Sequence, residues 1–251
     1  MRQFKLLLTT LCVAVPLLLQ HNFLHAAEVN NLIQEKPAQI NFKLTPSYYS
    51  ASDGNDAVDI NLRANTGPHT TWLGFYKDSK DFQQARTGYE YAPDFAFIHP
   101  VFSAQLATRG FIGGSISAQI GNDTYGILGI GRTNLRDYYN LNFDPNDAIT
   151  FGFGTKVFIH HEFSIFQVFD DRLGTKQRNT HFVWRYKPDD TQRLTVDTSF
   201  KSGLDSDNEF VSGYGLSIDY GYKQYFARIA RDQYANFNAP TLTKFTLGMR
   251  F

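Results

Sequence analysis

The chain has one cysteine, Cys12, among its 251 residues. It falls in an N-terminal stretch with a character of its own. Arg2 and Lys5 form a short basic start, and Leu6 to Leu19 is an apolar run broken by Thr9, Thr10 and Pro16. Small residues follow in Leu24-His25-Ala26-Ala27. This is the pattern of a secretory signal peptide, residues 1–26, cut after Ala26 or one residue later. The exported remainder, about 225 residues, then has no cysteine, which excludes a disulfide framework. Beyond Ala26 no apolar stretch approaches the ~20 residues of a transmembrane helix. A charge excess is missing too. The signal takes two of the 24 basic residues and none of the 24 acidic ones, which leaves a net charge of −2 and no case for a nucleic-acid partner.

What is abundant is aromatic: 23 Phe, 14 Tyr and 2 Trp. These residues fall on a period of two. Ala38, Ile40, Phe42 and Leu44 alternate with Gln39, Asn41 and Lys43. Val58, Ile60, Leu62 and Ala64 alternate with Asp59, Asn61, Arg63 and Asn65. Tyr214, Leu216, Ile218, Tyr220 and Tyr222 alternate with Gly215, Ser217, Asp219 and Gly221. Successive strand side chains point to opposite faces, so each segment has one apolar and one polar face. A soluble sandwich alternates as well. Two features favour a transmembrane barrel instead. The segments run ~9 to 11 residues, the length a tilted strand needs to cross a bilayer. Tyr48 and Tyr49, Tyr89 and Tyr91, Tyr138 and Tyr139, and Tyr220 and Tyr222 gather near segment ends, where an interfacial girdle would lie.

Seven hairpins can be read: 38–49 with 57–65, 70–77 with 83–92, 98–107 with 111–120, 124–133 with 148–158, 162–170 with 179–187, 192–202 with 211–222, and 224–232 with 243–251. The expectation is an all-β fold, a single antiparallel up-and-down barrel of 14 strands over residues 38–251, behind a periplasmic lead-in at 27–37. Twelve strands is the alternative. Trp72-Leu73-Gly74-Phe75-Tyr76 alternates poorly, and Phe163 to Phe169 is apolar on both faces.

The last segment, Phe245-Thr246-Leu247-Gly248-Met249-Arg250-Phe251, alternates up to an aromatic final residue. With the signal peptide and the overall patterning, it resembles the outer-membrane β-barrel proteins of Gram-negative bacteria as a class. The resemblance implies an outer-membrane location, lipid around the barrel, and a C-terminal signal read by the barrel assembly machinery. That signal falls on Phe245, Leu247, Met249 and Phe251, which would face lipid.

The inward positions are then Lys43, Asp59, Arg63, Arg86, Glu90, Lys156, Arg185, Arg193, Asp197, Lys201, Asp219, Arg228, Asp232 and Arg250, with Lys244 and Thr246 on the same face as Arg250. Both signs are present and basic residues lead. One reading is a water-filled channel for small polar solutes with a slight preference for anions. The other is a structural charge network with no transport, since buried charges need partners. A barrel of 14 strands is wide enough to stay open unless loops fill it. Glycines crowd residues 110–131 and 152–154, and a strand glycine marks a bend or a close approach. The longest loop, Asn134–Asp147, joins two of these strands and is expected either to fold inward against the glycine wall or to stand out in solvent. Its Asp144 and Asp147 lack the full oxygen-ligand spacing of a calcium loop. No metal or cofactor is expected.

A lipid hydrolase is the enzymatic alternative. The outer-membrane phospholipase and deacylase families carry His and Ser two residues apart on one strand face. The nearest match, His160 and Ser164, would stand ~13 Å apart along a strand, whereas a working pair needs ~3 Å. His181 faces inward near Arg185, and His69 and His99 sit beside prolines at turns. A structural barrel with an adhesive loop, Gly203–Phe210, is the third reading.

Overall fold

A computed structural model describes residues 39–139 and 144–251. The expected signal peptide and the whole of the lead-in, 27–37, lie outside the described residues. The rest is a closed antiparallel barrel of 14 strands, each bonded to its neighbours in sequence, with the last returning to the first. They are β1 (Asn41–Ala51), β2 (Ala57–Thr66), β3 (His69–Asp78), β4 (Gln83–Tyr91), β5 (Ile98–Ala107), β6 (Phe111–Gly121) and β7 (Thr124–Thr133). β8 (Ala148–Val157), β9 (His161–Asp170), β10 (Arg178–Tyr186), β11 (Gln192–Leu204), β12 (Phe210–Tyr222), β13 (Tyr225–Asp232) and β14 (Leu242–Arg250) complete it. The count settles on 14 rather than 12.

Closure lies between β1 and β14, where Lys43 faces Arg250 and Tyr48 faces Phe245. Phe251 exchanges backbone hydrogen bonds with Phe42 at 2.7 and 2.9 Å, and their rings stack. The Ser47 and Thr246 hydroxyls bond across the same seam at 2.8 Å. A sheet with no free edge leaves no row of unpaired backbone groups. The longer connections, such as 134–147 and 233–241, lie at one end of the barrel, and the turns at 67–68, 122–123 and 223–224 lie at the other with the chain terminus.

Alternation sets the two faces. Val58, Ile60, Leu73, Phe75, Ile116, Phe153, Phe200, Phe245 and Leu247 are exposed on the outside. Asp59, Arg86, Asn179, His181, Lys201, Asp219, Asp232, Lys244 and Thr246 are buried inside. The segments that alternated poorly have inner faces that pack against something. Leu73 and Phe75 point out, while Trp72 lies against Gly88 and Tyr76 joins an aromatic cluster. Phe163 points out, whereas Phe166 stacks on His181 at 4.7 Å and Val168 is buried.

Glycines accommodate those inner rings. Gly88 pairs with Trp72, Gly152 with Phe166, Gly154 with Tyr125 and Gly248 with Phe226, each directly across a strand pair. A Cβ at Gly88, Gly154 or Gly248 would collide with the ring, and one at Gly152 with the Ile165 carbonyl and the Phe166 Cα and Cβ. The ring can lie flat on the wall because the partner has no side chain.

Candidate functional site: the barrel interior

The loop between β7 and β8 enters the barrel. Tyr139 stacks on Tyr76 at 3.8 Å and meets Tyr49 edge-on at 5.6 Å, while Tyr138 stacks on Phe111 at 4.2 Å. Backbone bonds fix the same turn. Gln84 Nε2 donates to the Asp137 carbonyl at 3.0 Å, and the Tyr139 amide donates to Gln84 Oε1 at 3.0 Å. Asn179 Nδ2 donates to Asp144 at 2.8 Å, and His181 Nε2 lies 3.1 Å from the same carboxylate. The base is tied by Asp147, which accepts from the Thr133 amide and hydroxyl and from Arg172.

The inward fold is therefore the one the structure adopts, but its docking differs from the expectation. The loop's rings settle on β1, β3 and β6, its backbone bonds to Gln84 of β4, and Asp144 reaches β10. Of the glycine-rich wall, the described part of the loop closely approaches Gly131, through the Asn146 carbonyl. The polar rim of that wall, including Ser103, Ser115, Ser117 and Thr150, lines a cavity of about 660 Å³. The girdle reading needs a correction too. Tyr48, Tyr89, Tyr91, Tyr220 and Tyr222 face outward, but Tyr49 is buried inside and Tyr138 and Tyr139 pack there with it. Adjacent tyrosines on a strand point to opposite faces, and a loop tyrosine goes where its loop goes.

Ten of the fourteen expected inward charges form ion pairs. Arg86 pairs with Asp59 in a fully covered contact, and Arg63 meets Glu90 through two bonds at 3.1 and 3.2 Å. Lys201 pairs with Asp232 at 2.5 Å and Arg228 with Asp219 at 3.0 Å. Arg185 pairs with Glu162 at 2.8 Å, and Asp197 with His181 at 3.0 Å. Lys43 and Arg250 instead lie over the Phe226 ring, at 4.6 and 4.9 Å from its centre. Lys156 and Arg193 are exposed near the short-turn end. Glu162, Gln84 and Asp144 join this network without having been read as part of it. Glu162 could have been found from its strand parity with Ser164. Asp144 could not, since nothing local says which wall a loop will reach.

Two cavities flank the loop. Besides the one of about 660 Å³, a second of about 380 Å³ lies on the β9–β13 side. Asp144, Arg228 and Lys244 line both. A carboxylate carried by the loop and two cations on β13 and β14 thus bound the place where the interior is divided.

The hydrolase constellation does not assemble. His160 Nδ1 lies 2.9 Å from the Lys187 carbonyl in a turn, while the Ser164 hydroxyl is buried with no hydrogen-bond partner among the described residues. Both His181 nitrogens face carboxylates, so neither accepts from a serine. Among the described residues no group of three or more His, Cys, Asp or Glu comes together to hold a metal.

No protein-family model and no curated protein sequence matches the chain. Solved structures do. The outer membrane protein Omp33 of Acinetobacter baumannii aligns with a TM-score of 0.57 at 11% identity, over 86% of this chain and 100% of that one. A mutant Rhodopseudomonas blastica porin aligns with a TM-score of 0.50 at 9% identity, over 85% of this chain and 99% of that one. A second mutant of the blastica porin does so at 0.50 and 10%, over 85% and 99%. At these identities the likeness is one of fold, a closed antiparallel barrel shared along nearly the whole of each chain.

Proposed function

We propose that this protein is an outer-membrane channel that passes small polar solutes passively through a lumen narrowed by the 134–147 loop. The observation that carries the reading is how the loop is seated. Its described ends are held by specific bonds to the wall, and charged cavities remain on both sides of it. A barrel whose interior served only as a structural filler would have its charges matched and its space packed. The apolar outer face and polar inner face suit lipid outside and water inside. Structural neighbours named as porins support the same reading.

In this reading the paired interior charges set the field in the channel and stiffen its wall. Phe245, Leu247, Met249 and Phe251 form the outward stripe of the strand that completes closure, which suits a signal for the assembly machinery. The test is conductance of refolded protein in a planar bilayer. Discrete single-channel steps are expected. A heat-modifiable, folded barrel that gives no steps at any voltage sinks the proposal.

A further inference from the structure

Most charges inside the barrel have a partner of opposite sign, and three of the exceptions, Lys43, Lys244 and Arg250, lie on the adjoining strands β1 and β14. Lys244 on β14 is 9% exposed, and no carboxylate pairs with it among the described residues. Its Nζ lies over the face of Tyr49, 5.2 Å from the ring centre. Lys43, on the neighbouring β1, rests on Phe226 in the same way. An aromatic face attracts an ammonium without neutralising it. The charges of Arg228, Asp59, Arg86 and Lys43 act on Lys244, and those of Arg250, Arg228, Asp219 and Arg63 act on Lys43, so cations outnumber acids here. Arg228, on β13 at the other side of β14, has Asp219 as its own partner. Asp59 and Asp219 are each already paired, with Arg86 and Arg228, so the cations here stay in excess and favour an anionic ligand.

The surroundings indicate what that is. Lys43, Lys244 and Arg228 line the cavity of about 660 Å³, and its far side carries Ser103, Ser115 and Ser117. β6 and β13 stand seven strands apart in a ring of 14, so the two walls face each other. One wall offers charge and the other small hydroxyls that both donate and accept hydrogen bonds. On this basis we infer that Lys43, Lys244 and Arg228 form a binding site in the lumen for small hydroxylated carboxylates, with the carboxylate on the cations and the hydroxyl groups on the serine wall. The inference rests on the channel reading only for its consequence, selective passage. Binding itself does not require conduction.

Two measurements on the refolded barrel separate the two ideas. In a planar bilayer, sodium glucuronate is added to one side during chloride conduction, with glucose as the neutral control. Glucuronate is expected to interrupt the current, and glucose at the same concentration is not. Calorimetric titration of glucuronate into the detergent-solubilised barrel is expected to give saturable binding. Lys244→Met is expected to weaken both effects by roughly tenfold or more, the scale of one lost charge-assisted hydrogen bond. Lys244→Arg, which keeps the charge, retains them and guards against a fold defect in the first variant. Conduction without discrimination or binding overturns the site and leaves the channel. Binding without conduction keeps the site and overturns the channel. Phosphate displacing glucuronate at lower concentration than any hydroxylated carboxylate overturns the role given to the serine wall.

Discussion

Asp144, on the loop between β7 and β8, lies 3.1 Å from Nε2 of His181 on β10, and the other nitrogen of that ring faces Asp197 at 3.0 Å. One imidazole thus holds the loop to the wall across a span of 37 residues. Replacing it with alanine leaves two buried or half-buried carboxylates facing each other. His181→Ala is expected to lower stability by about 1.5–3 kcal/mol, the range for hydrogen bonds to charged groups. Released from β10, the loop should also raise and roughen the single-channel conductance. Unaltered conductance in a folded His181→Ala barrel would show that the loop is held without this contact.

Gly88 lies directly across from Trp72, whose indole occupies the space a Cβ would need. Gly88→Val should destabilise by about 1–3 kcal/mol through overpacking. Trp72→Ala alone should cost about 3–5 kcal/mol through the cavity it leaves. Combined, the two are expected to cost less than their sum, because the valine fills part of that space. Additive losses in a denaturant titration would mean the ring and the glycine are not in contact.

The base of the loop carries a pH dependence. Burial alone would raise the Asp147 carboxyl, but the hydroxyl and amide of Thr133 and the Arg172 guanidinium outweigh it and hold it below its ordinary 3.8. A depressed carboxylate contributes stability above its unfolded value, and loses it as pH falls through the folded one. The loop base should therefore hold at neutral pH and loosen only in acid below about 3.8. Asp147→Asn should loosen it at all pH values. Protease cutting or hydrogen exchange in residues 134–147, followed against pH, reads both. Loosening already near pH 6 in the unaltered protein would contradict the assignment to Asp147.

Leu247 and Thr246 are neighbours in β14 on opposite faces, one 70% exposed outside and the other 4% exposed inside. Lipid against the outer face makes Leu247→Arg costly, by about 2–4 kcal/mol near mid-membrane. The same change in a protein surrounded by water should cost little. Refolding yield and urea stability in lipid vesicles decide between them. Tolerance of Leu247→Arg would remove the bilayer from the outside of the barrel.

The strand count, the pairing order and the inner and outer faces were legible in the sequence, because a period of two is local. A residue's parity within a segment fixes its face before any partner is known. The charged positions of β1, β2, β11 and β14 followed from that parity alone. Segments such as 72–76 and 163–169 blurred it, since an inner face that meets a ring or a loop turns apolar and looks like the outer one.

Which charges would be neutralised, and where the long loop would go, belonged to the closed barrel. Arg86 meets Asp59 from two strands away, and Arg63 meets Glu90 likewise. Neither spacing of 27 residues announces itself in the chain. Asp144 could have found any wall of the cylinder, and it found Asn179 and His181. Local alternation told the chain which side of the sheet was wet. Only the curved wall of the folded barrel brought charges on adjacent and alternate strands near enough to pair, and left Lys43 and Lys244 on aromatic faces with no ion pair among the described residues.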